Sequence, residues 1–318
     1  MTVSPFNIIW QNHSIRIERE AIDLDSFFES SQDILLVHGD SGCGKSGLVK
    51  YQLVQETRYP IWLFRATDFD CPSVAEFSHK FGNCTWEYGL SAFDGMSKKL
   101  CIIDSTEKVF ALQHQNTFED AVRLLRQHGW HILFTIRTSY VPNFLNTVLR
   151  TSDVAEHRVQ VPPENELASF PEADNVLPAD AALRDFLRNL FYLKLYLSIT
   201  EVTDSRTIAE FMQNIWKQVI CNVSSQRDSL HIRRERMICT LVHTTADTGT
   251  AYYVPTEQTD WNAITALEQS GIIQYDGTMG GYFLTHDVYE EIVLKHITTR
   301  EYQQRENINA FLQQSAAA

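Results

Sequence analysis

The chain of 318 residues is longer than an average single domain, and 44% of its residues are hydrophobic, so it can bury a sizeable core and is not expected to be disordered. Its formal net charge of −13 at pH 7 disfavours a protein whose main task is to grip a nucleic-acid backbone or an anionic membrane. The N-terminus lacks the pattern of a signal peptide, and no run of about 18 apolar residues predicts a membrane helix.

The six cysteines form no C-x-x-C pair and show no zinc-type spacing. Cys101 and Cys239 lie in apolar runs and are interpreted as reduced core residues, which suits the cytosol, so a cytoplasmic location is expected. Cys43 differs because it lies in a glycine-rich loop at the predicted start of a helix. A lowered thiol pKa there would make it a candidate oxidation site.

The most informative stretch is Gly39-Asp40-Ser41-Gly42-Cys43-Gly44-Lys45-Ser46, which matches G-x-x-x-x-G-K-S. It follows the apolar run Ile34–His38 and precedes a helix-prone segment that starts at Gly47. Glycines let backbone N–H groups turn inward around phosphate oxygens, and the helix directs its positive end at the anion. Lys45 is predicted to reach the β- and γ-phosphates, and the Ser46 hydroxyl to ligate Mg²⁺. Residues Gly39 to Gly47 are therefore the predicted nucleotide-binding loop.

Apolar strands alternate with helix-like or loop segments between residue 31 and about residue 160. The predicted strands are Ile34–His38, Ile61–Ala66, Leu100–Asp104, His131–Ile136 and Arg158–Val161. The intervening segments are long enough for crossovers, which predicts an α/β fold with a parallel sheet of about five strands and helices on both faces. Residues 1–30 are interpreted as a lead-in that contains a short helix over Ala21–Phe28.

Two further patterns predict chemistry at the carboxyl edge of this sheet. Four apolar residues precede Asp104, a pattern that places a carboxylate near Mg²⁺ in phosphate-loop proteins. Glu107 is either the base that deprotonates the attacking water or an acid of a surface loop. The strand within Leu133–Thr138 ends in Thr135 and Arg137, where a polar side chain can sense the γ-phosphate and arginine can neutralise transition-state charge. The alternative for Arg137 is a strand-end cap paired with a surface carboxylate.

Beyond a proline-containing stretch at residues 161–178, the chain is predicted to be helical. Ala181–Thr200 and Ser205–Asn222 carry apolar residues at helical spacing. From about residue 229 the predicted order is helix, short strand, helix, hairpin, helix, which is typical of a winged helix. These elements are Arg236–Thr244, Ala251–Pro255, Gln258–Gln269, Ile272–Tyr275 with Tyr282–Leu284, and Asp287–His296.

A winged helix can bind DNA, and the charge of residues 229–300 bears on that alternative. The segment contains nine acidic and five basic side chains, and three of the bases, Arg233, Arg234 and Arg236, cluster at its start. Because phosphate contacts supply most non-specific DNA affinity, a protein-packing module is favoured and a nucleic-acid partner is not expected.

The chain resembles the STAND class of signalling NTPases, which includes NACHT and NB-ARC proteins, and it is most similar to the bacterial antiviral STAND (Avs) subgroup. Besides Gly39–Ser46, the resemblance rests on Ile102–Glu107, Thr135-Ile136-Arg137 and Ala266–Ile273 followed by Phe283–Tyr289, and it covers nearly the whole chain. It implies four parts: an ASCE-type P-loop nucleotide-binding domain (1–162), a helical domain (163–228), a winged-helix domain (229–300), and the start of a helical sensor region or a tail (301–318).

The resemblance also implies roles for single residues. His286 would contact the β-phosphate and hold the closed ADP-bound state. Arg19, in Ile17-Glu18-Arg19-Glu20, would lie beside the nucleotide, although Glu18 stands where glycine is usual. The helical domain of the family carries a proline that touches the nucleotide, and residues 188–193 contain none.

The protein implied by the resemblance is a switch that uses ATP/ADP and Mg²⁺. It would hold ADP at rest and self-assemble into an oligomer in the ATP-bound state, with slow hydrolysis and with effector and sensor parts, or partner proteins, outside this chain. Selectivity for ATP over GTP rests on the resemblance, since no guanine-reading N-K-x-D motif is present.

Two other classes of protein share the phosphate loop. One is an AAA+ or initiator-like ATPase whose winged helix binds DNA. The other is an ordinary phosphotransferase, which needs an acceptor-binding lid, and the sequence shows no such insertion.

Overall fold

The computed structural model describes residues 3–10, 13–54, 56, 58–79, 84–150, 153–163, 177–199, 205–223, 229–250, 252–277 and 279–304. The chain divides into two compact units. The first is Met1–Asp174 together with Arg188–Leu190, and the second is Asn175–Leu187 together with Phe191–Ala318. Among the described helices, none combines the length and the apolar character that crossing a membrane requires.

Five parallel strands form the centre of the first unit. They are β3 (Ile34–Gly39), β4 (Ile61–Arg65), β5 (Leu100–Asp104), β6 (His131–Arg137) and β7 (Ala155–Arg158). Their order across the sheet is β4-β5-β6-β3-β7, so the strand that leads into the glycine-rich loop is flanked by β6 and β7. Strand β6 separates β3 from β5, which ends in Asp104. A parallel sheet in this order, with that loop after its β3 strand, is an ASCE-type P-loop NTPase fold, and the predicted fold class is confirmed.

The apolar strands divide their side chains between the two faces of the sheet. In β3, Ile34 and Leu36 join one hydrophobic cluster and Leu35 and Val37 join the other. The larger cluster contains many aromatic rings, among them Phe69, Phe77, Trp86, Phe118, Trp130, Phe134 and Phe144. Because helices cover both faces, both sets of alternating residues are buried, which explains why these strands look like continuous apolar runs in the sequence.

The helices of the first unit lie mostly between consecutive strands. They are α1 (Leu24–Glu29), α2 (Lys45–Val54), α3 (Val74–His79), α4 (Trp86–Ser91), α5 (Gln115–Gln127) and α6 (Val141–Asn143). Shorter 3₁₀ turns are at Ala66–Phe69, Thr106–Ala111 and Thr138–Tyr140, and α6 continues into a π-helical turn, Phe144–Leu149. Helix α1 begins where the Asp23 carboxylate accepts a hydrogen bond from the Ser26 N–H at 3.0 Å, an N-cap that stabilises a short helix.

The interpretation of residues 1–30 as a lead-in with one helix is wrong for most of its length. An antiparallel hairpin of β1 (Val3–Trp10) and β2 (His13–Glu20) precedes α1. The last pair of the hairpin is Trp10 with His13. The helix itself begins three residues later than predicted, after the Asp23 cap.

The last strand of the sheet was predicted over Arg158–Val161 and lies instead at Ala155–Arg158. It is an edge strand, paired only with β3 among the described strands, and its side chains are partly or fully exposed. An edge strand tolerates polar residues because one of its sides faces solvent. The apolar pattern that locates buried strands is therefore missing here.

The remaining helices are α7 (Ala181–Phe186), α8 (Leu190–Ile199), α9 (Ile208–Asn214) with a π-helical turn at Ile215–Ile220, α10 (Leu230–Thr248), α11 (Trp261–Gln269) and α12 (Asp287–Gln304). The predicted single helix over Ala181–Thr200 is interrupted at residues 187–189. A hairpin of β8 (Ile273–Asp276) and β9 (Gly281–Leu284) lies between α11 and α12. The strand predicted over Ala251–Pro255 is reduced to one bridge, between Tyr253 and Tyr282. The element order after residue 229 is otherwise the predicted one.

A buried cation, Arg234, holds part of the second unit together. Its side chain is 1% exposed, and its guanidinium donates hydrogen bonds of 2.8–3.0 Å to the carbonyls of Val219, Ile220 and Ala266 and to the Ser270 hydroxyl. These acceptors lie at the carboxyl ends of two helical segments, which carry partial negative charge. Arg234 thereby fastens the π-helical turn to α11, and its charge faces the interior.

Candidate functional site

The predicted strand, loop and helix around residues 39–47 are present. Strand β3 is buried along its whole length and ends at Gly39, and α2 begins at Lys45. Gly42 and Gly44 have φ of +76° and +101°, a region that residues with a side chain rarely adopt, so the loop needs glycine at both positions. Gly44 also accepts the first helical hydrogen bond, from the Leu48 N–H at 2.9 Å. The loop thus leads its backbone directly into the N-terminus of a ten-residue helix.

The thiol of Cys43 points into the protein and is 1% exposed. It packs in the cluster with Leu48 and Val159 on one face of the sheet. A side chain so little exposed does not suit the oxidation site that the sequence suggested, because oxidants need access to the sulfur. Cys43 is a packing residue of the loop.

The ammonium group of Lys45 folds back over its own loop. Its Nζ donates to the Gly39 carbonyl at 3.0 Å and to the Asp40 carbonyl at 2.9 Å. Phosphate oxygens are stronger partners for an ammonium group than neutral carbonyls are. Lys45 is therefore positioned at the loop and is able to exchange these two bonds for bonds to a phosphate.

The carboxylate of Asp104 is the point where three elements of the sheet edge meet. Its Oδ1 accepts from the Ser46 hydroxyl at 2.7 Å and from the Thr135 hydroxyl at 2.5 Å. Thr135 is 1% exposed and also accepts from the Ser105 N–H at 2.9 Å. The start of α2, the end of β5 and the end of β6 are thereby brought together.

A hydroxyl and a carboxylate oxygen side by side suit a hard cation such as Mg²⁺. Within the described ranges, no group of three or more His, Cys, Asp or Glu side chains is arranged to hold a metal ion. Mg²⁺ commonly binds through one or two protein oxygens, with phosphates and waters completing its octahedron. The Ser46 and Asp104 pair fits a cation that arrives with a nucleotide.

Strand β5 is followed by a strained turn. Ser105 has φ +58°, a left-handed conformation unusual for a residue with a side chain, and the 3₁₀ turn of Thr106–Ala111 begins directly after it. Thr106 closes the turn through its hydroxyl, which donates to the Ile103 carbonyl at 3.1 Å. The turn carries Glu107 back towards the end of β6.

Glu107 and Arg137 form an ion pair, with 3.5 Å between Oε1 and Nε. The Arg137 backbone N–H also donates to Oε2 of Glu107 at 3.3 Å. Glu107 is only 8% exposed, so the alternative of a surface acid is wrong for it. Arg137 does pair with a carboxylate, as the strand-end alternative had it, but that carboxylate is buried rather than on the surface.

Sequence reasoning missed His38, which directly precedes the loop. Its Nδ1 lies 3.2 Å from the Thr138 hydroxyl, and its Nε2 lies 3.4 Å from a carboxylate oxygen of Glu156. His38 thereby connects β7 to the residue that follows Arg137. Burial lowers the pKa of its imidazole. A polar residue at the end of an otherwise apolar strand was the available signal.

Sequence reasoning also missed Asn189. Its side-chain amide donates to the Ser41 carbonyl in the loop at 2.7 Å. The neighbouring Arg188 donates through Nε to the Pro162 carbonyl at 2.7 Å. The resemblance drew attention to residues 188–193 only through the missing proline. No local pattern signals the Asn189 contact, because it joins positions 148 residues apart through the fold.

The resemblance implicated two further residues, His286 and Arg19. His286 lies in the second unit, where its Nδ1 accepts from the Val288 N–H at 3.1 Å and its ring stacks on Phe191 with centroids 3.9 Å apart. The proton of the neutral ring is therefore on Nε2. Arg19 is in β2, paired with Ser4, and its side chain lies outside the described part of the structure.

No protein-family model matches the sequence, and no curated protein matches it. Among solved structures, a Walker-type ATPase of Pyrococcus abyssi is 12% identical, with 85% of this chain and 93% of that chain covered and a TM-score of 0.44. The Aeropyrum pernix ORC1 protein in complex with DNA is 12% identical, with 86% and 91% covered and a TM-score of 0.42. AMPPCP-bound DnaA from Aquifex aeolicus is 14% identical, with 86% and 91% covered and a TM-score of 0.38.

Proposed function

We propose that the chain is an ATP-dependent molecular switch that binds ADP or ATP at Gly39–Gly47 and hydrolyses ATP slowly. The contact between Ser46 and Asp104 is the observation that carries this proposal. It places a hydroxyl from the first turn of α2 against a carboxylate from a strand that is not a neighbour of β3 in the sheet. The Ser46 hydroxyl directly follows Lys45 in the chain. The ammonium group, the hydroxyl and the Asp104 carboxylate together suit the phosphates of a nucleotide and their cation.

The residues of the loop divide the work of binding. Backbone N–H groups and the positive end of α2 attract the phosphates, and Lys45 exchanges its carbonyl partners for phosphate oxygens. Ser46 and Asp104 would hold Mg²⁺, which neutralises charge on the phosphates when it is bound. Thr135 keeps the Asp104 carboxylate in one orientation through a hydroxyl that is itself held by the Ser105 N–H.

The pairing of Glu107 with Arg137 supports the proposal of slow hydrolysis. A general base must reach the attacking water with a carboxylate that is ready to take a proton. Both oxygens of Glu107 interact with Arg137, one with its side chain and one with its backbone. Hydrolysis then requires that Arg137 turn from Glu107 to the γ-phosphate, where its charge stabilises the transition state.

The finer proposal is that this switch is the NTPase and oligomerisation core of a STAND-type defence protein. It rests on the resemblance of the sequence motifs, which also gives His286 and Arg19 their proposed nucleotide contacts. ADP would hold the resting state, and ATP would favour self-assembly. A ligand shifts such an equilibrium only through its difference in affinity for the two states.

The second candidate is an initiator-like ATPase that binds DNA through residues 229–300; the ORC1 structure named above is a complex with DNA. Arg236 favours it, since that side chain is exposed. Two of the three predicted phosphate-binding arginines are engaged elsewhere. Arg234 is buried, and Arg233 is ion-paired with Asp260 at 2.5 Å. The switch is therefore the preferred proposal.

Titration with ADP, ATP and GTP in the presence of Mg²⁺ tests the nucleotide site. Lys45→Ala should remove binding, and Lys50→Ala, on the exposed face of the same helix, should leave it unchanged. Equal binding by both variants would contradict the site. Turnover by the monomer on the order of 10 per second, an ordinary enzyme rate, would contradict a slow switch.

Two further measurements separate the candidates. His286→Ala should weaken ADP binding and promote assembly if the switch proposal is correct, and unchanged ADP affinity would count against the role of His286. Salt-dependent binding of duplex DNA that Arg236→Ala weakens would instead support the initiator-like ATPase.

A further inference from the structure

Three successive carbonyl groups of the phosphate loop accept hydrogen bonds from side chains. Those of Gly39 and Asp40 accept from Lys45, and that of Ser41 accepts from the amide of Asn189. Lys45 belongs to the loop motif itself. Asn189 lies 148 residues further along the chain, in a stretch that groups with the first unit. The fold therefore supplies one support to the loop from outside the motif.

The stretch that carries Asn189 is itself well anchored. On one side Arg188 donates to the carbonyl of Pro162 at 2.7 Å. The flanking Leu187 and Leu190 are 0% and 2% exposed. Since its neighbours are buried or hydrogen-bonded, the Asn189 amide is presented from a fixed backbone, and its bond to the loop costs little additional ordering.

The hydrogen bond from Asn189 to the Ser41 carbonyl also affects the N–H on the other side of the peptide between Ser41 and Gly42. In a trans peptide the C=O and the following N–H point in opposite directions, so the direction of the Ser41 carbonyl sets the direction of the Gly42 N–H. Gly42 has φ +76° and no side chain to restrict it, so this peptide can rotate unless something holds it. Asn189 holds it from the carbonyl side.

We infer that Asn189 is a positioning residue for the nucleotide phosphates. By fixing the Ser41 carbonyl it keeps the Gly42 N–H directed to the opposite side of the peptide, where it donates to a phosphate oxygen of ADP or ATP. Asn189 acts through Gly42 and does not itself touch the nucleotide. The inference rests on the proposed nucleotide site and adds a residue that the loop motif does not contain.

Removing the amide donor should weaken nucleotide binding while leaving the chain folded. Asn189→Asp keeps the shape of the side chain and replaces the donor by a carboxylate that repels the Ser41 carbonyl. At pH 8 we expect its Kd for a fluorescent ADP derivative with Mg²⁺ to rise on the order of tenfold, as for the loss of one hydrogen bond to a charged group. Asn189→Ser, too short to reach the carbonyl, should give a similar rise.

Acidification separates positioning from general damage to the structure. A protonated carboxyl is again a donor, and its pKa, ordinarily about 3.9, is raised by partial burial beside a carbonyl. The ratio of the Asn189→Asp Kd to the wild-type Kd should therefore fall between pH 8 and pH 5. The same ratio for Asn189→Ser should stay constant, because serine gains no donor.

Asn214→Asp is the matched control, since Asn214 donates to the Ser205 hydroxyl within the second unit. It should leave the Kd for the ADP derivative within about twofold of the wild-type Kd. That difference is small compared with the roughly tenfold rise in Kd expected when one hydrogen bond to a charged group is lost. If Asn189→Asp bound the ADP derivative as tightly as the wild-type protein at every pH, the inference would be overturned, and the proposed nucleotide site would stand. Loss of folding in both Asn189 variants would also overturn it, because Asn189 would then be a structural residue. No binding by the wild-type protein would instead contradict the proposed function itself.

Discussion

Glu107 is a buried acid that lies three residues after the end of β5. The structure buries it against Arg137, at the edge of the sheet where Asp104, Ser46 and Thr135 meet. A buried carboxylate paired with arginine is costly to build, because both charges lose hydration.

Glu107→Gln tests this residue directly. It should lower the rate of ATP hydrolysis by on the order of 10² to 10⁴, the usual contribution of a general base, and leave the Kd for ADP close to wild type. The measurement is phosphate release under single-turnover conditions. Glu119→Gln, on the neighbouring helix α5, serves as the control. An unchanged rate in Glu107→Gln would remove the residue from the catalytic site.

Of the residues in the site, the sequence could predict those whose role is written into a short motif. Lys45, Ser46 and Asp104 belong to patterns with fixed spacing along one strand, loop or helix. His38 and Asn189 depend on contacts with Thr138 and Ser41, between 100 and 148 residues away, which only the folded chain creates. Local patterns cannot report such pairs.

Among the elements of the site, the junction of β3 with the phosphate loop is tightly packed. A Cβ at Gly39 would lie 2.6 Å from the Val159 carbonyl oxygen and 2.7 Å from the Cys43 sulfur. Both distances are far below van der Waals contact, and the first neighbour is backbone. The glycine is needed here because the chain after β7 passes directly beside the loop.

Gly39→Ala should therefore lower the thermal unfolding midpoint and weaken ADP binding together, since either the loop or the chain after β7 must move. Overpacking of this kind costs about 1–3 kcal/mol. Gly95→Ala is the control, because no atom lies within 4 Å of a Cβ at that position. Calorimetry and ADP titration on both variants decide the matter. If Gly39→Ala had the same unfolding midpoint and the same ADP affinity as the wild-type protein, the junction would be shown to accommodate a Cβ.

Apart from the N-terminal hairpin, the elements that the sequence misplaced share a physical property. Edge strand β7 and the bridge at Tyr253 have little apolar alternation, and the break before Leu190 coincides with the anchored Arg188 and Asn189. Buried strands and long amphipathic helices are recognised in a sequence by the regular spacing of their apolar residues. Edge strands and helix interruptions are determined by tertiary contacts, which produce no periodic pattern of apolar residues in the sequence.

For the molecule as a whole, buried and partly buried histidines link stability to pH. Burial lowers the pKa of His38, His131 and His157 in the first unit. In the unfolded chain these side chains titrate near about 6.5. As the pH falls below that value, the unfolded state binds protons that the folded state does not. Their stabilising contribution is therefore complete above about pH 6.5 and is lost as the pH falls through the lowered pKa values.

Urea unfolding at several pH values between 5.5 and 7.5 measures this linkage. The free energy of unfolding should decrease as the pH is lowered. His131→Phe, which keeps an aromatic ring against Phe27 and Phe28, should reduce the slope of this dependence on pH. His243→Gln, at an exposed position, provides the comparison. Identical slopes for wild type and His131→Phe would show that His131 is protonated equally in both states.

For the whole molecule, we propose that the nucleotide sets the state of a switch rather than driving continuous turnover. The test is light scattering of the purified chain, saturated with Mg²⁺ and either ADP or a non-hydrolysable ATP analogue. We expect a monomer with ADP and a larger assembly with the ATP analogue, and no assembly of Lys45→Ala with either nucleotide. The same mass with both nucleotides in the wild-type chain would contradict it.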